Sequence, residues 1–146
     1  MPTPRRGLLR PAAETDFPRL YEIWSSVDEH RFLQDWGRFV ETATAMLRGS
    51  RVWVWSDGVQ VHGFAAADPV SAEIAAVYVH PRAQGRGIGR ALLRKCCDGL
   101  VKRGHRHAWL VTSPGTRAER IYRDAGWQEA GIEASGAVRL RKRLVA

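Results

Sequence analysis

Apolar residues in this chain recur with two different periods, and each change of period marks a change of element. Gly7-Leu8-Leu9-Arg10 reads as a short first strand. Phe17, Leu20, Tyr21, Trp24 and Val27 then return every three or four residues, which predicts an amphipathic helix. Thr15 or Asp16 offers its N-cap, and Pro18 falls in its first turn. A second helical stretch runs from about His30 to Leu47, with Phe32, Trp36, Phe39, Val40, Ala43 and Leu47 on one side, and Gly49 stops it. There the period drops to two. Arg51-Val52-Trp53-Val54-Trp55 and Val59 to Ala67 flank Asp57-Gly58, a hairpin pattern, and Asp68-Pro69 turns the chain into a strand from Ser71 to Val79.

Helical spacing returns after a glycine-rich stretch. Ile88, Leu92, Cys96, Leu100 and Val101 make an apolar helix face, Arg90, Arg94, Lys95, Asp98 and Lys102 lie outside it, and Gly104 ends it. Arg106 to Thr112 reads as a strand and Thr116 to Ala125 as a short helix stopped by Gly126. Trp127 to Glu133 and Ala137 to Leu144 form a closing hairpin. The order β-α-α-β-β-β-α-β-α-β-β puts antiparallel hairpins around a β-α-β centre. It predicts an α+β domain with a mixed, mostly antiparallel central sheet flanked by helices. No repeat, linker or low-complexity segment interrupts the 146 residues, so residues 1–146 read as one domain.

Composition narrows the class. With 45% apolar and 26% charged residues the chain is ordinary globular material, not a disordered one. No run approaches the roughly 20 apolar residues that span a bilayer, and the N-terminus has no apolar run long enough for a signal peptide. A soluble cytoplasmic protein is expected. The net charge of +8 points to nucleic acid, an anionic membrane surface or an anionic cofactor. The basic tail Arg139-Leu140-Arg141-Lys142-Arg143 alternates with Val138, Leu140 and Leu144, so a strand with one solvated basic face explains it better than a nucleic-acid patch. Cys96 and Cys97 are adjacent, and helix neighbours point about 100° apart, so they form neither a disulfide framework nor a metal site. At least one belongs in the core. His62, His80, His105 and His107 show no metal-ligand spacing, and His80 before Pro81 reads as a turn residue.

The stretch Gln84-Gly85-Arg86-Gly87-Ile88-Gly89-Arg90 carries the chemistry. Glycine at every second position keeps side chains away, so that backbone N–H groups turn toward one point at the positive end of the following helix. That is a site for phosphate or pyrophosphate. Arg82, Arg86, Arg90 and Arg94 add positive charge at roughly one-turn spacing. A Walker loop is excluded because no Lys-Ser or Lys-Thr pair follows, and a dinucleotide fingerprint is excluded because position 90 is Arg90, not glycine.

What remains, Gln-x-x-Gly-x-Gly behind a strand and before a helix, resembles the acyl-CoA motif of the GNAT superfamily of N-acetyltransferases. The resemblance implies the GNAT fold for this succession of elements, and acetyl-CoA as cosubstrate with no metal. It implies that the backbone at Val77, Tyr78 and Val79 holds the pantetheine arm like an added strand and polarises the thioester carbonyl. The loop of Gln84, Gly85, Arg86, Gly87, Ile88, Gly89 and Arg90 would hold the pyrophosphate. Ala118-x-x-x-Tyr122-x-x-x-Gly126-Trp127 is similar to the family's second signature, which makes Tyr122 the acid that protonates the leaving sulfur. Read alone, Tyr122 is better explained by packing its helix on the sheet, and the cradle upstream is what favours the acid. Where the family often has Asn seven residues before that tyrosine, this chain has Gly115, with Thr112 and Ser113 nearby.

Similar enzymes carry a glutamate near the position of Glu73 that takes the amine's proton through water. Alternation puts Glu73 on the face of Val77 and Val79 unless a bulge reverses the parity, and a solvated strand-end carboxylate explains it equally well. Asp28, Glu29 and His30 fall where the family's substrate-facing loops lie, and a polar helix junction explains them as well. No Ser or Cys sits in a nucleophile elbow, so direct transfer in a ternary complex is expected. The expected reaction moves acetyl from acetyl-CoA to a primary amine. A small amine is favoured over a protein N-terminus or lysine, because the aromatic-rich first helices suggest a partly closed pocket. A catalytically weak acyl-CoA-binding regulatory module is the alternative. No membrane or nucleic-acid partner is expected, and a homodimer is allowed.

Overall fold

The computed structural model describes residues 7–27, 36–49 and 51–144. Four strands, β1 (Leu8–Pro11), β2 (Arg51–Ser56), β3 (Val61–Ala67) and β4 (Ile74–Val79), form an antiparallel sheet in the order β1-β2-β3-β4. At the β2–β3 hairpin Gly58 takes φ +94°, and the Asp57 carboxylate accepts the N–H groups of Val59 and Gln60, each at 2.8 Å. A second antiparallel sheet of β5 (His107–Thr112), β6 (Gln128–Ile132) and β7 (Val138–Arg143) has the order β5-β7-β6. The expected mixed sheet is thus drawn in two parts. They join at one parallel bridge, Glu73 to Trp109, where the Trp109 N–H donates to the Ala72 carbonyl at 3.2 Å.

Helices α1 (Phe17–Ser25) and α2 (Trp36–Gly49) cover one face of the first sheet. Phe17, Leu20, Ile23 and Ala43 are buried there with Val54, Phe64 and Ala76. Helices α3 (Ile88–Lys102) and α4 (Arg117–Asp124) cover the other face and extend across the second sheet. Leu92, Cys96, Leu100 and Tyr122 are buried with Ala65, Leu110, Val138 and Leu140. Cys96 is buried and Cys97 half-buried, as the helical spacing required. Gly63 sets the α3–β3 distance: a β-carbon there would lie 3.0 Å from the Tyr78 carbonyl oxygen and 3.1 Å from Ile88 and Leu92. A larger residue would require the Tyr78 carbonyl and the Ile88 and Leu92 side chains to give by a few tenths of an ångström.

One strand start and one helix cap differ from expectation, each for a local reason. The strand expected from Ser71 starts at Ile74, because residues 68–72 close a turn. Asp68 N–H donates to Glu73 O at 2.8 Å, Ala72 N–H donates to Asp68 O at 2.9 Å, and Ala72 takes φ +64°. Asp16 does not cap α1 with its side chain. Its carboxylate accepts the Ala13 N–H at 2.9 Å and holds Arg10 at 2.8 Å, closing a short 3-10 turn ahead of the helix. Helix α2 is described from Trp36 onward. The expected start near His30, with Phe32, Asp28 and Glu29, lies outside the described residues, as do the side chains of Trp36 and Phe39.

Strand β7 has the alternation its sequence predicted: Val138 and Leu140 are buried, and Arg139, Arg141 and Arg143 point the other way. Among the described residues no helix is long and apolar enough to cross a membrane.

Candidate active site

A cleft of about 440 Å³ lies between the end of β4, the glycine loop, α3 and α4. Strand β4 is paired only with β3 along Val77, Tyr78 and Val79, so its outer edge faces the cleft with no strand neighbour among the described residues. An unpaired strand edge presents peptide N–H and C=O groups in the geometry that an extended ligand can complete. Gln84 folds back on this edge and donates from Nε2 to the Val79 carbonyl at 3.2 Å. Val77, Val79, Ile88, Leu93 and Ile121 make the wall apolar.

The glycine loop forms the mouth. Gly85 and Gly87 both take φ +81°, a left-handed conformation that disfavours side chains. Gly87 is the N-cap of α3, and no side chain caps the helix's first N–H groups, which leaves them for an anion. A β-carbon at Gly85 or Gly87 would meet nothing within 4 Å, so the space before the loop is open. Gly89 lies against the strand end, where a β-carbon would stand 3.6 Å from the Val79 side chain. Arg90 lines the cleft from α3 and Arg117 lines it from the start of α4. Arg86 does not line it; its guanidinium reaches the Arg82 carbonyl at 3.5 Å. An apolar trough ending in free helix N–H groups and two cations fits a thioester arm that ends in phosphates.

Tyr122 reaches the cleft from α4. Thr116 caps that helix by accepting the Glu119 N–H at 3.2 Å, and the Glu119 carboxylate accepts the Gly115 N–H at 2.8 Å. The Gly115 N–H and Arg123 hold the Glu119 carboxyl below the usual carboxylate range. Gly115 takes φ +75°, so the glycine that replaces the family's Asn serves the turn into α4. Neither Thr112 nor Ser113 lines the cleft in its place. Tyr122 is buried and lies edge-on to Trp127, ring centroids 6.1 Å apart, while also lining the cleft. Packing and cleft exposure belong to the same side chain.

Glu73 is not where alternation put it. Ala66 pairs with Ala76 but Ala67 pairs with Ile74, so Ala75 is an extra residue in β4. Ile74 therefore packs on the α3 side together with Val77 and Val79 despite the odd spacing, and Glu73 turns to the opposite face. It lies at the seam beside Trp109 and outside the residues that line the cleft. Burial pushes its carboxyl above the ordinary range, Asp68 adds to this, and Arg139 opposes it. A carboxylate shifted toward neutrality is a better matched proton acceptor.

Three of the histidines have structural partners. His80 Nδ1 accepts the Arg82 N–H at 3.1 Å and caps the turn Pro81–Ala83. His62 pairs with Asp57 at 2.7 Å, and His105 contacts the Pro69 carbonyl at 2.7 Å. Among the described residues no group of three His, Cys, Asp or Glu could hold a metal ion.

Sequence reasoning missed Arg117, Ala118 and Ile121 in the cleft wall. With Tyr122 they share one face of α4, and the i, i+4 spacing of Arg117 to Ile121 and Ala118 to Tyr122 was the available signal. Val27, just past α1, also lines the cleft.

The model of the Acetyltransferase (GNAT) family matches residues 11–127. The chain is 27% identical over 135 residues to the peptidyl-lysine N-acetyltransferase YiaC of Escherichia coli K12, covering 84% of this chain and 88% of that protein. It is 37% identical over 60 residues to streptothricin acetyltransferase of Streptomyces lavendulae, covering 40% and 32%. The crystal structure of the Escherichia coli ribosomal-protein-S18-alanine N-acetyltransferase matches with TM-score 0.78 at 24% identity, over 97% of this chain and 96% of that one. The PaiA N-acetyltransferase of Thermoplasma acidophilum, in complex with coenzyme A, matches with TM-score 0.78 at 14% identity, over 94% and 99%.

Proposed function

The chain belongs to the GNAT family and is an acetyl-CoA-dependent acetyltransferase, and we propose that it passes the acetyl group directly to a primary amine in one ternary complex. The observation that carries this reading is the outer edge of β4 at Val77–Val79, which lies in one cleft with the glycine loop and Tyr122. The β4 peptide groups align the pantetheine arm and polarise the thioester carbonyl. The N–H groups at Gly87 and the start of α3 take the pyrophosphate, with Arg90 and Arg117 adding charge. The acceptor ammonium loses a proton, through water, to Glu73. Its nitrogen then forms the bond to the acetyl carbon, and the nitrogen gives up its second proton to solvent as the carbon–sulfur bond breaks and the amide forms. The departing thiolate takes the Tyr122 proton, which Tyr122 regains from solvent.

A covalent acetyl-enzyme is not needed. Burial pushes the Cys96 thiol up to about 12 and the Cys97 thiol up to about 11, so both stay neutral.

For the acceptor, the small amine favoured by the sequence rested on aromatic first helices forming a pocket. Phe17 and Leu20 of α1 are instead buried under the first sheet, and Tyr21 and Trp24 pair with each other at 6.1 Å against that core. The likeness to a peptidyl-lysine acetyltransferase runs nearly end to end, whereas that to streptothricin acetyltransferase covers 40% of the chain. Both favour an amine carried by a polypeptide. The test is release of free CoA thiol from acetyl-CoA with lysine peptides and small amines offered in parallel. Peptides are expected to be the better acceptors. Turnover of small amines alone returns the reading to a small-molecule acceptor, and no release with any amine overturns the transferase assignment.

A further inference from the structure

We propose that the arginine row of β7 is a docking surface for acidic residues flanking the acceptor amine, an inference that rests on the polypeptide-acceptor reading above. Arg139, Arg141 and Arg143 lie on the face of the second sheet opposite the buried Val138 and Leu140. Their partners across the strand pair are Val111, Trp109 and His107 of β5. Among the described residues no helix covers this face, and Val111 is 39% exposed. The β7 row holds three guanidiniums; the carboxylate that acts on it there is Glu73, which Arg139 influences from a distance, and among the described residues none is in an ion pair with the row. Glu129 of the neighbouring strand sits in register with Leu140, on the other face, and binds Arg123 at 3.0 Å.

Place and spacing give the surface its meaning. Arg139 faces Val111 of β5, and its guanidinium lies 4.0 Å over the Trp109 ring. Trp109 is the residue bridged to Glu73. By register Glu73, Trp109 and Arg141 stand level across the strands, so the row passes the residue assigned as proton acceptor, with Arg139 on one side of that level and Arg143 on the other. Alternate side chains on one strand face are about 6.6–6.8 Å apart, which matches alternate side chains of an extended peptide. A second copy of this chain is a poor occupant, since a symmetric contact would set arginine against arginine. Nucleic acid is disfavoured as well: the aromatic ring Trp109 is already covered by Arg139, which removes it as a stacking platform.

The test uses the full chain and peptides with one central lysine, flanked by glutamates, by serines or by lysines. Wild type should show a kcat/KM about three- to tenfold higher with glutamate than with serine flanks, the worth of one or two exposed ion pairs. Arg141→Glu with Arg143→Glu, neither in the cleft, should invert the preference toward lysine flanks while leaving the serine-flanked peptide unchanged. Equal kcat/KM for all three peptides in wild type overturns the surface and leaves the polypeptide acceptor standing. Fluorescence anisotropy of a labelled glutamate-flanked peptide whose lysine is already acetylated separates the two claims. Binding lost in the double variant, with no peptide turned over, keeps the surface and removes the acceptor reading. A single-stranded oligonucleotide that binds through these arginines where the acidic peptide does not overturns the proposal.

Discussion

The two sheets bury themselves differently. In β3 every residue except His62 is buried, because α3 lies on one face and α1 with α2 on the other. In β7 burial alternates, and β6 is exposed along its whole length. The sequences show the cause: Val61-His62-Gly63-Phe64-Ala65-Ala66-Ala67 is nearly continuous in apolar residues, and Val138-Arg139-Leu140-Arg141-Lys142-Arg143 alternates. The doubly covered sheet supplies the fixed parts of the site, the β4 edge and the loop into α3. The singly covered sheet supplies Tyr122 through α4 on its buried face and keeps its other face for solvent. The cleft forms where the β4 edge, the loop into α3, and α4 face one another.

The largest expected effect tests that one-sided cover directly. Leu110 and Val111 are neighbours on β5, the first 2% and the second 39% exposed. Leu110→Ala should cost about 2–5 kcal/mol of stability through lost burial and a cavity. Val111→Ala should stay within about 0.5 kcal/mol. Urea unfolding of both variants decides the matter. A comparable loss at Val111 would mean that the arginine-bearing face is covered after all, and the contrast between the sheets would fall with it.

Next in size are the two changes that address what each sheet brings to the cleft. Tyr122→Phe keeps the ring against Trp127 and removes the hydroxyl that carries the proton, so kcat should drop about ten- to a thousandfold with acetyl-CoA affinity little changed. Unchanged turnover would make Tyr122 a packing residue and leave sulfur protonation to water. Gly87→Val acts from the other side of the seam. A branched side chain at φ +81° strains the N-cap by about 1–2 kcal/mol and projects into the open space before the loop. Calorimetry should show acetyl-CoA binding abolished, and with it the rise in Tm that a ligand bound only by the folded state confers. Retained affinity would remove the loop from the site.

The cradle was legible in the sequence because it depends on local order: a strand, Gln84, alternating glycines and a helix need no long-range information. Tyr122 was legible for the same reason, through its fixed distance from Gly126-Trp127. Glu73 was only half legible. Nothing in Ile74-Ala75-Ala76-Val77 marks Ala75 as the extra residue, since the bulge is settled by pairing with β3, and one residue of slip moves a side chain to the other face. The aromatic residues of α1 give no pocket by themselves, because Phe17 is buried in the core and Tyr21 and Trp24 pack against it, as an amphipathic helix places them. Arg117 was missed since a cation in a first helical turn looks like any solvated residue until the β5–α4 connection brings it opposite the loop.

A pH experiment sharpens the position of Glu73 at the seam. Its carboxyl is raised by burial, so the folded state binds more protons than the unfolded chain between the ordinary value and the raised one. Stability from this group is present at lower pH and is lost as pH rises through the raised value. Activity has the opposite sense, because the base must be ionised. The acid limb of kcat/KM should lie above the ordinary glutamate range, and Glu73→Gln should flatten it while lowering the plateau. A limb that keeps its position in the glutamine variant would assign the proton to another acceptor.

The smallest effect separates the two arginine groups by place alone. Arg90 lines the cleft, Arg86 stands behind it on the Arg82 carbonyl, and Arg139, Arg141 and Arg143 lie on the far face of the second sheet. Each exposed cation–phosphate pair contributes about 0.2–1 kcal/mol, so Arg86→Ala with Arg90→Ala should weaken CoA binding about two- to tenfold, chiefly through Arg90. Charges farther off than a Debye length, about 8 Å at 0.15 M salt, are largely screened. Alanine at all three β7 positions should therefore leave CoA affinity, measured by titration calorimetry, nearly intact. Repeating both titrations at lower salt gives the stricter test, since the screening length grows and a weak pull from β7 should emerge there first. A loss in the β7 variant equal to that in the loop variant at ordinary salt would put both groups on one side of the sheet, against the alternation that buries Val138 and Leu140.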